Sequence, residues 1–600
     1  MKAHKFILLL IGGILLYFIV TEKWIGNDGE RWKFIVESDG RGYYAYLPAI
    51  FIYQDLKFDF VKRNEAVIYG EGLADHLILM NGERGNKYFI GEAVMLAPFF
   101  LLAWLISWLT DFSLSGYNQI FFGSVSIAAL FYLLVALSFI RKFLIQFKIR
   151  EIWIQTIIIL LVFGSNVFHY TVYEPSVSHI YSFAAISGFI YFIKKFQIEK
   201  YPRHLLLSAI SLGLIVLIRP VNGVIILAIP FLIGSYNEFK VFINDLFQRK
   251  KLLTISTFSF LIIVSIQLFI NYLIYGKILY WPYSGEGFDF LHPHFIDTLF
   301  SYRKGLFIYT PLILISIIFI FLYIKKSFFS ATFFILFFLI LNYILSSWSS
   351  WFYGGSYSLR AFMEFYPLLI IPLATGINEI RKTHKLIFLS FLFTVILCHS
   401  IIQTYQYEHN IIHFESMDKE KYWKVFLKTN SKYKYVSYPI VSDTLNETNF
   451  KLEKKHFNDF EGFVNWGAGI TITSDDYYSG HNSSKIYIPN CFSPTFSIQY
   501  YELLREKISG VKIQLLTKSP KASNEGTLVV SFENDSNKIY KYISYPLSKE
   551  IEKSINWETV QYSIKLPLMK ENDIMKIYVW NNSQNPIYID DFLIELFSSK

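Results

Sequence analysis

Residues 37–48 read Glu-Ser-Asp-Gly-Arg-Gly-Tyr-Tyr-Ala-Tyr-Leu-Pro, shortly after an apolar run that ends at Val20. A carboxylate such as Asp39 can accept the proton of an attacking hydroxyl, with Glu37 as a helper. If the leaving group departs as a stable anion, no protonating acid is required. One base then suffices, provided that cations hold the anion. Gly40 and Gly42 let a partner approach the backbone closely, and Arg41, Tyr43 and Tyr44 add a cation and aromatic faces for a polar ligand. The plainer alternative is that Asp39 caps a helix starting near Tyr43 and that Glu37 is a solvated loop charge.

The cations occur later in the chain. Arg219 opens Arg-Pro-Val-Asn222, Arg303 and Lys304 are adjacent, and Arg360 closes an aromatic, glycine-rich segment from Trp348 that also holds Trp351 and Tyr353. A planar guanidinium suits phosphate because it donates in pairs. Lys87, Tyr88 and Glu92 form a second polar group, and Glu174 and His179 a third. Simpler roles exist for several of these. Arg219 could snorkel to headgroups, Arg303 and Lys304 could anchor at the interface, and Trp348 and Trp351 could be belt aromatics. Arg360 and Glu364, spaced i,i+4, could be a helix salt bridge. His169, Glu174 and His179 are metal-type residues, though buried hydrogen-bonding histidines are commoner.

The elements that must position these residues are largely membrane spans. The chain has 600 residues, 53% hydrophobic and 19% aromatic, with mean hydropathy +0.36, which points to a polytopic membrane protein. The net charge of +9 fits Lys and Arg on cytoplasmic loops and contact with membrane lipids, and not nucleic acid. Two cysteines, Cys398 and Cys491, make no disulfide framework. The N-terminal apolar segment lacks a small-x-small cleavage site, so it reads as a retained first helix. Basic clusters at 141–150, 194–203, 249–251, 325–326 and 381–385, all taken as cytoplasmic, divide the rest into paired helices.

This gives about eleven transmembrane helices, each near the ~20 residues a bilayer needs. They fall near 4–22, 117–141, 151–168, 177–194, 204–218, 221–236, 251–275, 306–324, 328–347, 364–380 and 386–404. Residues 88–109 are assigned to the outer interface, because a span there would place 141–150 outside and because Gly91, Glu92 and Pro98 interrupt the run. The polar residues then gather outside, chiefly in a large first loop, 23–116. The short inner loops hold no phosphate-cradling GxxxxGK[ST] motif, which disfavours nucleotide chemistry on the inside.

Residues 405–450 read as a linker and 451–600 as an extracytoplasmic domain. Alternating runs such as 510–516, 527–532, 559–564, 575–580 and 588–596, separated by turn residues, predict an antiparallel β-sandwich. Ser479-Gly-His-Asn-Ser-Ser-Lys and Tyr588-Ile-Asp-Asp-Phe-Leu-Ile-Glu resemble stretches of jelly-roll, carbohydrate-binding-type modules. That domain either binds sugar or acts as a spacer. Glu461, Asp590 and Asp591 are either calcium-type ligands or solvated strand-edge acids.

The order of elements over residues 1–404 resembles the GT-C superfamily of integral-membrane glycosyltransferases, in its protein-mannosyltransferase and aminoarabinose-transferase-like branch. The elements are acid-x-Asp-Gly-x-Gly-Tyr-Tyr after the first span, Lys87-Tyr-Phe-Ile-Gly91, Ile218-Arg-Pro-Val-Asn222, Ser301 to Pro311, and Trp348 to Glu364. The resemblance implies a catalytic acid in the first outer loop, which maps to Asp39. Its expected partners are a polyprenyl-phosphate sugar donor and a lipid, glycan or protein acceptor outside the plasma membrane (the inner membrane of a bacterium), with inversion at the anomeric carbon. Some members use an acid-x-acid motif with a divalent metal and others need none. Glu37-Ser-Asp39 has that spacing, and the reading here is without metal. A flippase or transporter, or a polysaccharide polymerase, is the alternative. Transport predicts charges within the spans, and few are present.

Overall fold

A computed structural model describes the chain except residues 1, 26–29, 70–75, 81–82, 284–285, 416, 431–432, 434–449, 463–465, 468–469, 521–525, 534–538, 548–555, 567–571, 582 and 600. It divides into a helical unit, Met1–Ser431, and a β unit, Lys432–Lys600.

Among the described residues, seven helices of the first unit are long and apolar enough to cross a membrane. They are His4–Ile25, Gly91–Leu109, Gln119–Gln146, Lys250–Tyr275, Phe328–Ser346, Arg360–Glu379 and Thr383–Glu408. Shorter apolar helices cover Glu151–Phe163, Pro202–Ile218, Pro220–Ile233 and Pro311–Ile324. Helix His179–Glu199 is buried along most of its length and forms the middle of the unit.

Residues assigned to the outer interface form one continuous helix, Gly91–Leu109, which is long and apolar enough to cross a membrane. Gly91 and Glu92 form its first turn rather than breaking it, and it continues through Pro98. Several expected spans are segmented where proline removes a backbone donor. Residues 220–228 form a 3₁₀ segment before the short helix Ile229–Ile233, and Arg360–Phe365 is 3₁₀ before Tyr366–Leu369. Within the expected linker, residues 405–408 complete helix Thr383–Glu408 and a further helix, Lys419–Val425, follows. Residues 434–449 of it lie outside the described residues.

The β unit has two antiparallel sheets. One orders strands Glu558–Lys565, Ile508–Lys518, Ile587–Ser599, Ser483–Ile486 and Ile472–Thr473, with Phe450–Asn458 also paired to Ile587–Ser599. The other orders Phe496–Gln499, Ile574–Trp580, Thr527–Glu533 and Ile539–Pro546. Buried and half-buried residues alternate along 574–580, as a strand covered on one face requires. Leu515, Phe532, Met575, Ile577 and Phe592 share the resulting core. Strands Phe450–Asn458, Phe496–Gln499 and Ile539–Pro546 escaped the sequence reading. The first is Lys-rich and largely exposed, and the second has only four residues.

The two motifs singled out in this unit come together. The buried Asp590 accepts hydrogen bonds from the Tyr478 and Ser479 N–H groups at 2.8 and 3.1 Å. Asp591 accepts from the Ser479 hydroxyl at 2.8 Å, and Glu461 from the His481 and Asn482 N–H groups. These carboxylates tie down the 478–482 turn.

Candidate functional site

Asp39 is the first residue of helix Asp39–Pro48. Ser38, just before it, holds φ at 49°, a strained value for a residue with a Cβ, costing on the order of 1–3 kcal/mol. That turn lets the Gly40 and Arg41 N–H groups close onto the Glu37 and Ser38 carbonyls, so that the helix starts at Asp39 and not at Tyr43. The two glycines are required by close approach. A Cβ at Gly40 would lie 2.0 Å from the Ser176 hydroxyl oxygen, and one at Gly42 2.1 Å from the Tyr88 ring. Tyr88 can therefore lie against the helix and donate from its hydroxyl to Asp39 Oδ1 at 2.7 Å. Asn86 secures this arrangement by donating to the Gly42 carbonyl and accepting from the Tyr88 N–H, at 2.7 and 3.0 Å.

The other Asp39 oxygen accepts from Arg360 Nη2 at 2.8 Å. Burial would push the Asp39 carboxyl upward, but Arg360, the Tyr88 hydroxyl and Lys87 outweigh it and hold the group below the ordinary aspartate value. Arg360 is itself carried by a fixed segment. The Tyr170 hydroxyl accepts from the Tyr357 N–H at 3.1 Å and lies 3.0 Å from the Tyr357 carbonyl. Lys304 donates to the Ser356 and Phe414 carbonyls. Lys304 is buried with no acid paired to it among the described residues, and its ammonium is pushed down to about 7 by burial and then by Arg360.

Asp39 and Arg360 line a cavity of about 750 Å³. Its polar lining adds Lys87, Arg219, Glu286, Tyr43, Tyr88, Tyr283 and Tyr353. Its apolar lining includes Val221, Val224, Ile226, Leu227, Phe288, Phe290, Ile344 and Trp348. Arg219 is aimed by a buried network. Its Nη1 donates to Glu364 Oε1 at 3.2 Å, and Glu364 is also held by His179 Nδ1 at 2.7 Å and by the Asn222 amide. Lys87 pairs with Glu286.

Of the residues expected from sequence, Asp39, Tyr43, Lys87, Tyr88, Arg219, Tyr353 and Arg360 line the cavity. Glu364, His179 and Asn222 stand behind Arg219. The remainder lie elsewhere. Glu37 is 3.7 Å from Lys23, and burial raises its carboxyl against that partner. Arg41 is buried 3.9 Å from Glu65, and the Tyr44 hydroxyl donates to the Gly116 carbonyl. Glu92 is fully buried in the first turn of its helix. Glu174 pairs with His169 at 3.2 Å, and His169 with Glu408 at 2.6 Å, so His169 and His179 belong to different networks. Arg303 stacks on Phe352 and donates to the Glu415 carbonyl at 2.9 Å, and Trp351 stacks on His294. The alternative of an Arg360–Glu364 salt bridge does not form; Arg360 pairs with Asp39 and Glu364 with Arg219.

Glu37 and Asp39 are held by different cations, Lys23 and Arg360. Among the described residues no group of three or more His, Cys, Asp or Glu is placed to hold a metal ion. No step is assigned to a metal. Sequence reasoning passed over Glu286, Tyr283 and Trp348 as site residues. The available signal was an acid embedded in Trp281-Pro-Tyr-Ser-Gly-Glu-Gly-Phe, a segment otherwise suited to an aromatic wall.

No family model and no curated protein matches the chain. Among solved structures, arabinosyltransferase EmbB from Mycobacterium smegmatis matches with 8% identity over 98% of this chain and 64% of its own, at a TM-score of 0.30. The chain thus spans about 64% of the length of that enzyme. The CBM22-1 xylan-binding domain of Paenibacillus barcinonensis Xyn10C matches with 14% identity over 25% of this chain and 88% of its own, at a TM-score of 0.16. An arabinose-bound α-L-arabinofuranosidase, MgGH51, matches with 10% identity over 26% and 24%, at 0.15.

Proposed function

We propose that the chain is a membrane glycosyltransferase that moves a sugar from a polyprenyl-phosphate donor to an acceptor hydroxyl on the extracytoplasmic side. The observation that supports this reading is a cavity lined both by apolar side chains and by paired cations and acids. Its apolar lining suits a prenyl chain, and its charged lining includes Arg219 and Lys87 along with the paired Asp39 and Arg360. A soluble phosphate ester would have no use for the Val224–Leu227 and Phe288–Phe290 wall.

In this reading Arg219 and Lys87 hold the donor phosphate, and Tyr88 and Arg360 orient the Asp39 carboxylate. The acceptor oxygen attacks the anomeric carbon opposite the phosphate. The bond from that carbon to the phosphate oxygen breaks, its electron pair leaves on the phosphate, and the configuration inverts. The acceptor's proton goes to Asp39. A carboxylate held below its usual range is a weak base, so the proton moves late, after bonding to carbon has acidified the acceptor oxygen. The acceptor is a lipid, a glycan or a protein. The test is transfer from labelled polyprenyl-phosphate sugars to membrane acceptors by the full chain in nanodiscs, with Asp39→Asn as the comparison. Absence of transfer by the wild-type protein with every such donor sinks the reading.

A further inference from the structure

Each cation that lines the cavity has an acid partner. Arg360 has Asp39, Arg219 has Glu364, and Lys87 has Glu286. An anion entering this site gains little unless one carboxylate lets go, because the positive charge is already compensated. The three acids differ in how firmly they are held. Glu364 is fully buried and fastened by His179, Asn222 and Arg219 together. Asp39 is fastened from both sides, by Tyr88 and Arg360. Glu286 has a single side-chain partner among the described residues, Lys87. It stands on a segment without regular secondary structure, joined to the 346–349 turn by backbone contacts at Gly287, Asp289 and His294. Lys87, in turn, lies against the Tyr88 and Tyr283 rings, 5.9 and 5.3 Å from their centroids, and so stays in place if its acid leaves.

We infer that Glu286 is a placeholder for the ligand's anionic group, a carboxylate that pairs with Lys87 and is displaced when a phosphate bearing an apolar tail binds. This rests on the proposed function for the identity of the natural ligand. The displacement itself is a property of the three ion pairs. It makes Glu286 a specificity residue: uncharged apolar chains leave the Lys87–Glu286 pair closed, and only an anion can exchange with it.

The test is calorimetric titration of decyl phosphate, with decanol as the uncharged control, into the full chain in nanodiscs at fixed salt. Removing the competing carboxylate frees Lys87, so Glu286→Gln is expected to bind decyl phosphate about two- to fivefold more tightly than wild type, as the loss of one partly exposed ion pair allows. Lys87→Met is expected to bind more weakly, and decanol to be indifferent to both substitutions. Glu286→Ala, checked with Glu286→Gln for an unchanged melting temperature, guards against a folding defect in either variant. If Glu286 merely fastens its segment over the cavity, both Glu286 variants bind equally or more weakly, and the inference fails. It fails too if the wild-type protein does not bind decyl phosphate. Sugar transfer is scored separately: tighter binding by Glu286→Gln without transfer by any form upholds the placeholder and removes the glycosyltransferase reading alone.

Discussion

Replacing Asp39 by Asn tests the site most directly, because the change is nearly isosteric and its consequences can be separated. The Asn carbonyl still accepts from the Tyr88 hydroxyl, so the local packing is kept. What is lost is the negative charge 2.8 Å from Arg360 and the capacity to take a proton. Two unit charges about 4 Å apart at an effective dielectric near 20 attract by roughly 4 kcal/mol. The Asp39 side chain is 31% exposed and Arg360 11%, so solvent screens part of this, and a stability loss of about 1–3 kcal/mol is expected. Loss of a general base lowers turnover by about 10²- to 10⁴-fold. The two effects are read by different assays, thermal unfolding in nanodiscs and transfer from labelled polyprenyl-phosphate sugars. Arg360→Met and the double variant complete a cycle that isolates the ion pair from the base. A double variant that regains stability but not transfer agrees with the assignment. Turnover by Asp39→Asn within about threefold of wild type refutes it, because a proton acceptor supplies more than that.

Three further outcomes test the surroundings. Gly42→Ala sets a methyl group against the Tyr88 ring, and overpacking of this kind costs about 1–3 kcal/mol; the melting temperature and transfer rate should both fall, and Tyr88→Phe should lower transfer with a smaller effect on melting. Lys304, held down to about 7 in the fold against 10.5 unfolded, loses its proton in the native state first. The unfolded chain then binds more protons, so this group's contribution to stability rises between pH 7 and 10.5. By pH 9 the gain is roughly 2–3 kcal/mol, and the pH dependence of wild type minus that of Lys304→Met should show it. Asp590→Ala leaves three β-unit N–H groups, those of Tyr478, Ser479 and Asp591, without their acceptor. A loss of about 2–4 kcal/mol in the β-unit unfolding transition of the full chain is expected.

Much of the architecture was legible in the chain because it depends on local pattern. Apolar runs near span length became helices at Gln119–Gln146, Lys250–Tyr275, Phe328–Ser346 and Thr383–Glu408. Period-two runs became strands at Ile508–Lys518, Thr527–Glu533 and Ile574–Trp580. The alternative of a salt bridge between Arg360 and Glu364 shows where local pattern misleads. Four residues apart on an α-helix share a face, but residues 360–365 form a 3₁₀ segment with three residues per turn. There the two side chains diverge by about 120°, and each finds its partner elsewhere. Arg303 and Lys304 misled in another way. Adjacent cations look alike in sequence, yet one stacks on Phe352 and the other turns to backbone carbonyls in the interior.

The sequence by itself determined which segments are apolar enough to span, which alternate as strands, and that an acid flanked by glycines and tyrosines follows the first span. These are properties of neighbouring residues, set by hydropathy, periodicity and the backbone freedom of glycine. Tertiary structure alone decided that Asp39 meets an arginine 321 positions away, that Arg219 is aimed by Glu364, and that Glu286 faces Lys87 across 199 residues. Such pairings depend on how helices cross and on which charges burial forces together, and neither is encoded in the spacing of adjacent residues.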